Sequence, residues 1–78
     1  MNVFGYIKRR CNSEGLVELS QVTFQSSPDT LREIASFLLS AAAEMEAGGP
    51  TFDHRHIQDE VQGWRSRTPE LPDVIVAS

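Results

Sequence analysis

The sequence predicts a small α+β domain: a three-stranded sheet in the order β-β-α-β, covered by one long amphipathic helix. Three observations predict it. Two β-favouring stretches separated by turn residues open the chain, a capped helical stretch fills its middle, and an apolar run closes it. At 78 residues there is room for one domain, 1–78. A chain of this size buries only about 60–65% of its unfolded surface. A sheet under one helix suits it, and a homodimer would supply more core.

The first strand is predicted over residues 3–9, where Val3, Phe4, Tyr6 and Ile7 favour β structure. Residues 11–15 (CNSEG) are turn-rich, and residues 16–25 form the second strand of an antiparallel hairpin. Its alternation slips, because Val17 and Leu19 share one parity and Val22 and Phe24 the other. A bulge near Ser20 and Gln21 returns all four to one face. Burial of both faces is the alternative.

The helix has both ends spelled out. Ser27 is an N-cap, Pro28 occupies the first helical position, and Asp29 and Glu33 suit the positive end of the dipole. Gly48 and Gly49 can end the helix and Pro50 blocks its continuation. Leu31, Ile34, Ala35, Leu38, Ala42 and Met45 fall on one stripe, flanked by Phe37 and Leu39. Asp29, Glu33, Ser36, Ser40 and Glu44 lie roughly opposite as a solvated acidic back.

Beyond the helix the chain turns polar. Asp53 can cap a short helix over residues 54–62, which would space Ile57, Val61 and Trp64 to dock on the core. The competing possibility is an extended piece with His54 and His56 on one side. Residues 66–72 are loop, and residues 73–77 (DVIVA) read as a buried or central strand joining the hairpin. A possible short second helix thus precedes the last strand.

Charge and composition exclude more than they assign. Eleven acidic residues against seven basic ones leave a net charge of −4, which argues against a nucleic-acid surface. Trp64 with Arg65 and Arg67 is a weak aromatic-basic signal in so acidic a chain. The helix is too interrupted by charge for membrane insertion. One cysteine, Cys11, excludes an internal disulfide, and no secretory signal opens the chain, so a cytoplasmic location is expected. No phosphate loop or nucleophile elbow is present, and no cofactor is called for.

The one cluster with a chemical look is DHRHIQD, residues 53–59. His54, His56 and Asp59 can be imagined around a metal, but on a helix the two imidazoles would diverge, and only an extended backbone brings them to one face. A structural or interface role is favoured, with one imidazole packed against Trp64 or Phe52 and bonded to a carboxylate such as Asp59. No metal site is expected.

Taken together, GLVELSQVTFQSSPDTLREIASFLLSAAAEMEAGG, then FDHRHIQD, a tryptophan and PDVIV resemble the immunity protein 32 family of bacterial polymorphic toxin systems. The resemblance covers residues 16–76. It is carried most by Leu19, Val22, Pro28, Leu31, Ala35, Phe37 and Leu38 and by the His-x-His-x-x-Asp segment. It implies a cytoplasmic α+β protein, not an enzyme, that binds and neutralises a toxin domain stoichiometrically. Nothing in it assigns a role to Cys11, Arg9 or Arg10. An acidic surface suits a basic toxin cleft, so Glu33, Glu44, Trp64, His54, His56 and Asp59 are the candidate partner-binding residues, with Glu14 and Glu18 as further acidic groups. The alternatives are a small metal-dependent enzyme or metal-binding protein using His54, His56 and Asp59, and a housekeeping homo-oligomer joined through Phe37 or the last strand.

Overall fold

The hairpin forms as its composition dictates. In the computed structural model, which describes residues 1–10, 15–67 and 71–78, β1 (Asn2–Arg10) pairs antiparallel with β2 (Val17–Gln25). Cys11, Glu14, Pro69 and most of the expected 11–15 turn lie outside the described residues. The bulge is where the slipped alternation places it. Tyr6 faces Gln21 but Ile7 faces Leu19, so Ser20 is the extra residue, and a second irregularity at Lys8 follows. Leu19, Val22 and Phe24 therefore stand opposite Ile7, Gly5 and Val3 on one face. Gly5 is there for space. A Cβ on it would lie 2.6 Å from the Gln21 carbonyl oxygen and 2.8 Å from Leu19 Cδ1.

Helix α1 (Pro28–Gly48) keeps its predicted ends. The Ser27 hydroxyl accepts from the Thr30 N–H at 3.2 Å. Gly49 closes the helix at φ 54°, donating its N–H to the Met45 carbonyl. A single 3₁₀ turn, Gly49–Thr51, leads out of it.

The rest of the fold departs from expectation in two ways. First, the last strand does not join the hairpin. β4 (Ile75–Ala77) pairs antiparallel with β3 (His54–His56), so the described residues form two two-stranded sheets rather than one three-stranded sheet. The segment after α1 is both of the shapes expected of it: extended at β3, then one turn of helix, α2 (Ile57–Glu60). The short strand is what captures β4. Second, the buried stripe of α1 is Ile34, Phe37 and Ala41, with Met45 half-buried. It is rotated by roughly 80° from the predicted stripe at 3.6 residues per turn. Leu31 and Leu38 remain 40% and 43% exposed. What covers α1 is the C-terminal half, not the hairpin: Ile34 and Phe37 cluster with Ile57, Trp64 and Leu71, and Met1, Val61, Val74 and Val76 pack against them. Phe37 is thus core and not an exposed contact residue.

Candidate functional site

β3 carries two of the six predicted residues, His54 and His56, and reaches a third, Glu44, through Arg55. Alternation along an extended strand sends His54 and His56 to one side and Arg55 to the other. The imidazoles do share a face, edge to face at 5.1 Å between centroids. Each is engaged by a carboxylate: His54 Nδ1 lies 2.8 Å from Asp53 Oδ2, and His56 Nδ1 lies 2.5 Å from Asp73 Oδ2. The partner of the half-buried imidazole is therefore Asp73, not Asp59, which stays exposed on α2. Among the described residues no three His, Cys, Asp or Glu side chains gather as a metal would require.

Asp73 joins β3, α2 and β4. Its other oxygen accepts from the Gln58 N–H at 3.3 Å, while the Ile57 N–H donates to the Val74 carbonyl at 2.9 Å. Burial pushes the Asp73 carboxyl up, but the bond and charge of His56 and the Gln58 and Val74 N–H groups outweigh it and hold the group below its ordinary value.

On the opposite side Arg55 reaches α1. Its guanidinium contacts Glu44 at 2.9 Å and Ser40 at 3.2 Å, pairs with Glu60, and lies over the Phe37 ring at 5.7 Å. Arg67 makes the matching tie, two parallel bonds of 2.6 and 2.7 Å to Glu33, while lying 5.2 Å above the Trp64 ring. The bond from Arg67 holds the Glu33 carboxyl below its usual range despite some desolvation. Glu33 and Glu44 are thus in place but already paired within the chain, so the helix back is less free an acidic surface than its sequence implies. Trp64, a candidate partner-binding residue, is only 1% exposed, its indole N–H donating to the Pro72 carbonyl at 2.9 Å. It is a core residue that the i, i+4, i+7 spacing with Ile57 and Val61 already placed.

Between α1 and α2 these ties frame a cleft of about 350 Å³ lined by Arg32, Glu33, Ser36, Phe37, Glu60 and Val61. Its floor is apolar (Phe37, Val61) and its rim charged. Of the predicted candidates only Glu33 lines it. Ser36 and Arg32 had no sequence signal beyond helix position, and the Arg55 and Arg67 ties that shape it are contacts at long sequence separation.

The carboxylate ties predict an acid-sensitive fold. Glu33 and Asp73 both sit below their ordinary values of 4.5 and 3.8 in the folded chain. Their contribution is fully present above those values and is lost as pH falls through the lowered ones. The thermal midpoint should therefore drop below about pH 4.5, and Asp73→Asn should flatten that drop. Equal midpoints at pH 7 and pH 3 would contradict the assignment.

No helix among the described residues is long and apolar enough to cross a membrane. Comparisons with curated proteins and with solved structures found no match. The profile of one family, immunity protein 32, matches residues 21–78, from the end of the hairpin through α1, the His-Asp segment and β4. A match over that much of the 78-residue chain places the protein in the immunity protein 32 family.

Proposed function

We propose that this chain is a catalytically inactive immunity protein that neutralises a bacterial toxin domain by binding it one to one. The observation that carries this is the family membership over residues 21–78. The α1–α2 cleft supports it. Phe37 and Val61 offer an apolar floor for one anchoring side chain of the toxin, and Glu33 and Glu60 a polar rim. Because Arg67 and Arg55 hold those carboxylates, the rim is ordered before the toxin arrives, which lowers the entropic cost of association. Glu44 on α1 continues that rim through its bond to Arg55, while Asp59 and the imidazole face of His54 and His56, on the other side of β3, are further contact candidates. Trp64 contributes from beneath, by fixing Arg67. The protein works in the cytoplasm, where it meets incoming toxin.

Co-expression tests the proposal. The protein should restore growth to cells expressing the toxin encoded beside its gene. Cells that die equally with and without it would refute the immunity role.

A further inference from the structure

The hairpin exposes far more apolar surface than a self-sufficient monomer would. Val3, Ile7, Leu19, Val22 and Phe24 share one face, and each is 39–65% exposed. The accessible surface of the chain is 5945 Å², whereas a compact monomer of 8.7 kDa exposes about 4,700 Å². The radius of gyration, 13.8 Å, likewise exceeds the roughly 11.5 Å of a compact chain of this length. The surplus, about 1,200 Å², is more than the roughly 800 Å² that each partner gives to a standard interface. A two-stranded hairpin with no cover is at best marginally stable in water.

From these observations we infer that the hairpin face is the dimer interface of this protein, covered by the same face of a second copy. The chemistry of the face selects that occupant. Its Val3, Ile7, Leu19, Val22 and Phe24 rows are apolar, and Lys8 and Arg9, which follow Ile7, are both bound to Glu18. Such a face is its own complement, as an interface about a twofold axis must be. A second copy is also present whenever the chain is made, so the face need never stand in water. Among the described residues no third strand pairs with the β1–β2 sheet, and Leu31 and Leu38 are further exposed apolar residues on α1. On α1, Leu31 and Leu38 flank the buried stripe on one side and the cleft residues Glu33 and Ser36 on the other. None of the cleft residues lies in the hairpin, so a dimer through the hairpin face uses a different surface from the proposed toxin cleft.

Sedimentation equilibrium of the full chain tests this. The wild type should show twice the 8.7 kDa of one chain, with a thermal midpoint that rises with protein concentration. Ile7→Lys with Val22→Lys should weaken self-association about a hundredfold or more, leaving one chain's mass and a midpoint independent of concentration. Both positions are exposed in the single chain, at 65% and 53%, so the far-ultraviolet circular dichroism should keep its shape. A wild type of one chain's mass overturns the inference even if the double variant fails to fold. So does a double variant that stays dimeric. A monomeric wild type whose toxin binding is abolished by Ile7→Lys and Val22→Lys overturns it too and assigns the face to the toxin. Toxin binding that survives in a monomeric variant supports separate surfaces, so the dimer and the immunity role fail independently.

Discussion

Trp64→Ala should leave the protein largely unfolded. Trp64 and Ile57 are the largest fully buried side chains, at 1% and 0% exposure, and Trp64 also holds Pro72 by its indole N–H and Arg67 by its ring face. Truncating a buried tryptophan costs about 3–5 kcal/mol, most of what a domain this small possesses. The thermal midpoint should fall by roughly 20 °C or more. Leu38→Asp, by contrast, should leave the single chain folded, because Leu38 stands on the exposed flank of α1. The stripe read from the sequence, which includes Leu38, would instead make Leu38→Asp unfold the protein. A thermal scan of the two variants decides between them: a stable Trp64→Ala beside an unfolded Leu38→Asp would contradict the core described here.

The second large effect is on binding. Ser36→Trp should fill the α1–α2 cleft without touching the core, since Ser36 is exposed on α1. If the cleft takes a toxin anchor, affinity should drop by about a hundredfold, the loss typical of a blocked central contact, and growth protection should fall with it. The melting midpoint should stay within a few degrees of wild type. Unchanged affinity would move the toxin to another surface. Charge reversal is a poorer probe, because Glu33→Lys or Glu44→Lys would also break the ties to Arg67 and Arg55.

What the sequence carried and what it did not follow from range. The ends of α1 were legible because capping is local: Ser27, Pro28 and Gly49 act within one turn of their own positions. The Ser20 bulge was legible because a slipped parity within one strand leaves its mark on the pattern. The partner of β4 was not, because three-residue strands carry almost no periodic signal and His54–His56 meets Ile75–Ala77 across the whole of segment 57–74. The face of α1 was misplaced because Leu31, Leu38 and Phe37 are equally apolar, and tertiary contact alone decides which of them is covered. At the site, the shared face of His54 and His56 followed from strand alternation once the strand was known. The long-range ties of Glu33 to Arg67, Glu44 to Arg55 and His56 to Asp73 left no local trace.

The most direct test of the immunity role uses purified components. Any toxin domain found encoded beside the gene would be titrated with this protein, following both the heat of binding and the toxin's activity. An immunity protein should bind one toxin domain per chain, with toxin activity extinguished at the same equivalence point. A toxin that keeps its full activity at excess protein, or that gives no binding heat and no complex on a sizing column, would contradict it.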